Sequence, residues 1–275
     1  MIEFSSAVLL TSFFAGLLGA LTGLGGGVVI VPALALFFHV DLRYAIGASL
    51  ISVIATSSGA AVAYVREGFS NVRIGMFLEV ATTLGAVGGA YLAARVSTPA
   101  IGIIFGVTLL FSAWSSFREP PNETPHPPNA LAEKLKLSGD YPVNNGRVAY
   151  LAQNVPAGFG IMFIAGILSG LLGIGSGAVK VLAMDHAMKL PFKVSTTTSN
   201  FMIGVTAAAS AGIYLGRGYI APGLAAPVML GVLAGSLLGA RLLVRMRVPV
   251  LRVVFAVVIV ALGVEMIYSG ATGRL

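Results

Sequence analysis

Apolar positions along this chain gather into long runs, at about 7–38, 44–65, 73–94, 98–117, 156–188, 194–215, 220–244 and 248–269, with polar residues confined to the stretches between them. Runs of this length with few charges predict membrane-spanning helices, not half-buried strands, which would alternate. The first and fifth runs are too long for one crossing. Ala7 to Phe38 is 32 residues, about 48 Å if helical throughout against a hydrocarbon core of roughly 30 Å. Each of these two runs is broken by glycines: Gly23-Leu24-Gly25-Gly26-Gly27 in one, Gly173-Ile174-Gly175-Ser176-Gly177 in the other. Consecutive glycines supply the positive-φ conformations of a sharp reversal and expose backbone groups that only a protein-lined or wet cavity can satisfy at membrane depth. The expected element is therefore a helix, a glycine turn and a short second helix, beginning near Val28 and near Ala178, that returns to its starting side.

The two breaks lie 150 positions apart, and that offset holds without a gap from Ala15–Arg95 against Ala165–Arg245. Gly16/Gly166, Gly23/Gly173, Gly27/Gly177, Ser49/Ser199, Tyr64/Tyr214, Gly85/Gly235 and Arg95/Arg245 are among the identities. About a quarter of the aligned positions agree, spread along the whole alignment, which marks an internal duplication. Two broken helices at corresponding positions of two halves point to the binding site of a transporter.

Composition agrees with this. The chain has 275 residues, 57% of them hydrophobic and only 10% charged, with a mean hydropathy of +0.93. An ordinary soluble domain carries about 25% charge. The net charge of +7 comes from basic residues between apolar runs. They read as topology signals facing anionic lipid, not as a nucleic-acid surface. The absence of cysteine excludes disulfides and thiolate metal sites. Met1-Ile2-Glu3-Phe4 lacks the basic region of a signal peptide, so the first run is expected to be retained.

Residues 1–117 form the first expected transmembrane repeat, 118–149 a linker and 150–275 the second repeat. The linker is polar and proline-rich, with one short helix expected around Ala130 to Leu137. If each broken run crosses once, the basic residues divide evenly between the two sides. If each is a hairpin, 12 of the 17 Lys and Arg fall on one side, 4 (Arg43, Arg95, Arg217 and Arg274) on the other, and Lys180 remains within a run. The uneven split satisfies the positive-inside rule and makes the halves inverted, with the linker in the cytoplasm and both termini outside. The expected fold class is all-α: a polytopic helical membrane protein of two inverted repeats, each a glycine-broken re-entrant hairpin plus three transmembrane helices.

Several residues in this frame could carry chemistry. The N-termini after the glycine turns offer unpaired N–H groups and a positive dipole end to an anion. This makes Gly25, Gly26, Gly27, Gly175, Ser176 and Gly177 candidate substrate contacts; Gly85, Gly89, Gly235 and Gly239 read instead as close helix packing. Lys180, where the first half has Ile30, is a charge costly enough in a membrane to need a partner, a wet cavity or an anionic ligand. A pairing with Asp185 is the structural alternative. Thr198, Ser199 and Asn200, in the run from Ser195 to Asn200, together with Ser49, could donate hydrogen bonds to a small oxyanion; helix capping is the plainer reading. Glu79, His186 and Glu265 are candidates for a coupling proton, although Glu79 near Arg73 and Glu265 near a helix end are expected at the interface. No metal site or cofactor is expected.

Enzymatic readings fare worse. Gly175-Ser176-Gly177 resembles part of an intramembrane serine protease motif, but no other membrane run offers the histidine such a serine needs. Gly23-x-Gly25-x-x-Val28 lacks the third glycine and the βαβ setting of a dinucleotide site, and no ATP-binding loop is present.

Gly23-Leu-Gly-Gly-Gly27 with Pro32 downstream, the Ala45-x-Gly-x-Ser49 segment, and Gly173-x-Gly175-x-Gly177 followed by Ser195 to Asn200 resemble the TauE/SafE family of sulfite and organosulfur exporters. The resemblance spans nearly the whole chain outside the linker. It implies movement of small sulfur-containing anions such as sulfite, sulfoacetate or related sulfonates, and attaches that role to Gly25 to Gly27, Gly175 to Gly177, Ser49 and Ser199. The expected function is secondary transport of a small organosulfur or sulfite-type anion by alternating access in a multi-pass protein of the cell membrane, not enzymatic turnover. A carboxylate permease and an intramembrane enzyme are the alternatives. Membrane lipid is the other expected partner, nucleic acid is not one, and a homodimer is left open.

Overall fold

The computed structural model describes residues 2–22, 26–66, 70–116, 130–143, 146–243 and 248–275. Gly23, Leu24 and Gly25 of the first glycine break lie outside the described residues, as do most of the proline-rich stretch and Arg245 and Arg247 of the charge count.

Each apolar run is helical. The first gives α1 (Ile2–Thr22) and α2 (Gly27–Phe37), followed by α3 (Leu42–Arg66), α4 (Val72–Leu92) and α5 (Thr98–Ser116). The second half repeats the plan with α7 (Val155–Leu172), α8 (Gly177–Leu182) running into a π-helical turn (Ala183–Ala187), α9 (Phe192–Gly216), α10 (Pro222–Leu243) and α11 (Val248–Ala271). Among the described residues four helices are long and apolar enough to cross a membrane: Val72–Leu92, Thr98–Ser115, Val155–Leu172 and Pro222–Gly239.

Both broken runs fold back on themselves. Phe4 in α1 packs edge-on against Phe38 just past α2, ring centroids 5.8 Å apart. In the second run the N–H of Gln153, ahead of α7, donates to the carbonyl of Met188 beyond the π turn at 2.9 Å. The exits match as well. Val40 N donates to Leu34 O and, 150 positions on, Leu190 N donates to Met184 O, with the preceding His39 and Lys189 both left-handed at φ 51° and 57°.

The halves interlock by exchanging equivalent contacts. α1 packs along α10, and its counterpart α7 along α4. Gly16 lies against the backbone of Val232 just as Gly166 lies against that of Thr82; Gly235 meets Phe13 as Gly85 meets Phe163. A Cβ at any of these four glycines would collide with main-chain atoms, so glycine here sets the helix spacing. Where counterpart helices pack on each other, they run in opposite directions. Tyr44 in the first turn of α3 meets Tyr219 past the end of α9, Ser57 lies by Gly204, and Asn71 beyond α3 meets Thr198 near the start of α9. α5 and α11 pair likewise, Pro99 by Gly270 and Gly106 by Gly263. The main apolar core draws on both halves.

Met76, Val80 and Leu84 on α4, and Val257, Val260, Val264 and Tyr268 on α11, are exposed at helical spacing. In water such faces would be an aggregation liability; against lipid tails they cost nothing.

One element departs from the all-α expectation. After the short α6 (Ala130–Lys134), β1 (Gly139–Val143) and β2 (Gly146–Tyr150) pair antiparallel, Gly139 opposite Tyr150. Tyr141, Val143, Val148 and Tyr150 are strand formers embedded in a stretch whose prolines and polar residues read as linker. An exposed Asp140–Arg147 ion pair spans the hairpin and contributes little to its stability. Asn71 anchors the hairpin to the helices. Its Nδ2 donates to Tyr150 Oη (2.7 Å) and Leu137 O (3.1 Å), while its Oδ1 caps α4 by accepting from Ile74 N. Burial raises the pKa of the Tyr150 hydroxyl, the Asn71 contact lowering it in part, so the phenol stays neutral at Asn71.

Candidate functional site

The second glycine break is described throughout. Gly173 (φ 68°), Gly175 (φ 71°) and Ser176 (φ 46°) are all left-handed, which turns the chain from α7 into α8. Ser176 does this with a side chain, at a cost that glycine would not incur. Its carbonyl accepts from Lys180 N at 3.1 Å, while its hydroxyl is buried with no partner.

The repeated serines hold this break from both ends. Ser49 donates to Gly173 O at 2.9 Å and Ser199 donates to Gly177 O at 3.3 Å. Their protons are thus committed to backbone carbonyls, and only oxygen lone pairs remain. Gly27 of the first break lies against the same place: a Cβ there would come within 2.6 Å of Ser49 Oγ and 3.2 Å of Gly173 O. Gly26 N-caps α2 and is packed on Gly16 and Val232; Gly175 sits on Ile203 and Val53.

Beside the break is a small cavity lined by Val28 of α2, Thr108 and Ser112 of α5, and Ile174, Ser176, Gly177 and Val179. No lining residue is charged, and three carry hydroxyls. The free space inside it has room for about one water molecule, so a larger solute requires the lining to move apart. Thr108 and Ser112 escaped the sequence reading because they lie inside an apolar run and have Val258 and Leu262 as counterparts, so the repeat did not mark them.

Lys180 does not line this cavity. Its side chain is fully buried and its Nζ donates to Thr206 Oγ1 on α9 at 2.5 Å; Thr206 Oγ1 in turn donates to Glu79 Oε1 on α4 at 2.6 Å. Glu79 is 8% exposed, buried where α4 meets α9. The countercharge for Lys180 is Glu79, not Asp185. Local sequence showed only Arg73 near Glu79, whereas the partner comes from the other half. Thr206 was also missed, although it matches Thr56 across the repeat.

The remaining candidates lie apart. Thr198 Oγ1 accepts from Asn71 N at 3.0 Å, a capping contact for α4. Asn200 is half-buried on α9 away from the cavity lining, and His186 is half-buried in the π turn. Glu265 is exposed on α11 and accepts from Ser269 Oγ at 3.2 Å. Among the described residues no group of three His, Cys, Asp or Glu could hold a metal ion.

Interrupted apolar helices meeting beside a small hydroxyl-lined cavity are the arrangement of a membrane transport protein. The chain belongs to the sulfite exporter TauE/SafE family, whose model matches residues 8–266. It is similar to two proteins of Bacillus subtilis (strain 168). "Probable membrane transporter protein YunE" is 27% identical over 263 residues, covering 93% of this chain and 94% of that protein. "Probable membrane transporter protein YdhB" is 25% identical over 235 residues, covering 85% and 88%. No solved structure matches the chain.

Proposed function

We propose that this protein is a secondary transporter of the cell membrane, multi-pass and without ATP use or enzymatic turnover, that moves a small organosulfur or sulfite-type anion by alternating access about its two glycine breaks. The observation that carries this reading is the cavity beside the second break, where the buried hydroxyl of Ser176 has no protein partner and Thr108 and Ser112 face it across from α5. Ser176 offers an unpartnered hydroxyl and no fixed countercharge, which suits a weakly held oxyanion that must also leave; Thr108 Oγ1 donates to Ile104 O at 2.8 Å. The substrate class rests on the family. Inverted halves are supported by counterpart helices that pack antiparallel, since a two-fold axis lying across the helices is what reverses one half relative to the other. The domain reading places residues 1–117 and 150–275 as these halves and 118–149 as a cytoplasmic linker.

Counterflow of radiolabelled sulfite, sulfoacetate and a matched panel of small carboxylates in proteoliposomes tests the reading. Exchange of the sulfur anions, chemically unchanged, is expected. Exchange of carboxylates alone would move the substrate class to the carboxylate alternative, and chemical conversion of the solute would replace transport with catalysis.

A further inference from the structure

We propose that Glu79, Thr206 and Lys180 form a proton-coupling site, separate from the anion cavity, at which one proton binds for each anion that enters. The proposal rests on the transport reading above and adds its coupling ion.

Three observations carry it. First, Glu79 Oε1 accepts from Thr206 Oγ1 and from Thr83 Oγ1, whereas Oε2 is buried with no partner. Oε1 is thus engaged, and Oε2 is the oxygen left open to a proton. Second, the three polar groups stand in line. Lys180 Nζ donates to Thr206 Oγ1 and that oxygen donates to Glu79 Oε1, so ammonium and carboxylate are joined through one hydroxyl. Third, no other charge competes. Among the described residues, α7 and α5, which pack on these elements, carry no ionisable group, and α3, which packs on α9, carries Arg43 and Tyr44 in its first turn and Tyr64 and Arg66 in its last. On α9 there are only Lys193, exposed in the first turn, and Tyr214, near the far end; Asp185 and His186 lie in the π turn beyond α8, and Arg73 at the start of α4. Lys180 is the one charge joined to Glu79 through the hydroxyl.

Coupling follows from neutrality. With ammonium and carboxylate both ionised the buried site carries no net charge. The cavity lies along α8, whose Gly177 and Val179 line it while Lys180 points to Thr206, so an arriving anion adds negative charge beside a helix that already holds a balanced pair. A proton from solution adding to Glu79 Oε2 converts carboxylate to carboxylic acid. The ammonium is then left to face the anion, so a monoanion leaves the interior neutral and a dianion such as sulfoacetate leaves one negative charge where there would have been two. Within the chain the proton can also shift. An N–H bond of Lys180 breaks as an O–H bond forms on Thr206, and the original Thr206 O–H breaks as one forms on Glu79 Oε1, turning ammonium and carboxylate into amine and acid.

The test uses the full chain in proteoliposomes with sulfoacetate as probe, because both its acid groups stay ionised at neutral pH and any proton that moves is the protein's. Net sulfoacetate flux and lumenal pH, read with a trapped indicator, give protons moved per anion, and counterflow reports transport itself. The unmodified chain should move protons with sulfoacetate. In Glu79→Gln, which keeps the shape and the Thr206 contact, protons per anion should fall at least tenfold whatever the absolute rate. Thr206→Val should lower the ratio as well, and Thr206→Ser, which restores the hydroxyl, should return it. Sulfoacetate counterflow by the unmodified chain without proton movement would overturn the proposal while leaving the transport reading intact, as would an unchanged ratio in Glu79→Gln. No sulfoacetate counterflow at all would remove the sulfonate reading and the coupling with it.

Discussion

The hydroxyl of Ser49 on α3 donates to the carbonyl oxygen of Gly173, 124 residues further along the chain and 2.9 Å away. The first half therefore holds the turn of the second. Together with Ser199 on Gly177 O, it fixes both ends of the segment that borders the cavity.

Ser49→Ala should cost about 1–3 kcal/mol, because it leaves a buried carbonyl without its donor. Thermal unfolding in detergent checks this. An unchanged melting temperature would mean that water takes over the contact and the serine does not hold the break.

Ser176→Gly should act in two directions at once. Relief of a left-handed non-glycine residue should stabilise the fold by about 1 kcal/mol, while loss of the unpartnered hydroxyl should slow sulfite counterflow severalfold. A variant that is more stable and equally active would take Ser176 out of the anion site.

The buried charge pair should be strongly non-additive. The other half carries Ile30 and Met229 at the positions of Lys180 and Glu79. Lys180→Ile and Glu79→Met alone should each cost about 3–5 kcal/mol by stranding a buried charge, and the double variant far less. A double-mutant cycle on melting temperature measures this. Additive losses would mean that the two groups do not sense each other.

Cysteines at Lys134 in α6 and Ala271 at the end of α11, both exposed, should label from opposite faces of the membrane. The charge split and the antiparallel packing of α5 on α11 both lead to this expectation. Labelling of both from one face would rule out the inverted arrangement.

The helices were legible in the sequence because their signal is local: each apolar run became a helix, and the glycines of the two long runs marked where the chain turns. The 150-residue offset went further, since it applies to interior contacts such as Gly16 on Val232 and Gly166 on Thr82. What stayed hidden was whatever depends on the partner a residue meets across the fold. Glu79 has only Arg73 near it in sequence, and its link to Lys180 of α8 through Thr206 appears only in the fold. Thr198 accepts from Asn71 N at the start of α4, a contact that local sequence does not show. Thr108 and Ser112 carry no local mark that separates them from apolar filling. The hairpin at 139–150 was masked by the composition around it.

Lys180 and Glu79 also bear on direction. Were the two halves identical, swapping their conformations would give two end states of equal energy, and the empty carrier would open to either face with the same frequency. Both buried charges stand where the opposite half has an aliphatic or thioether side chain, so the swap cannot be even. In the transport scheme proposed here the empty carrier has a preferred resting face, and net flux under equal and opposite gradients should rectify.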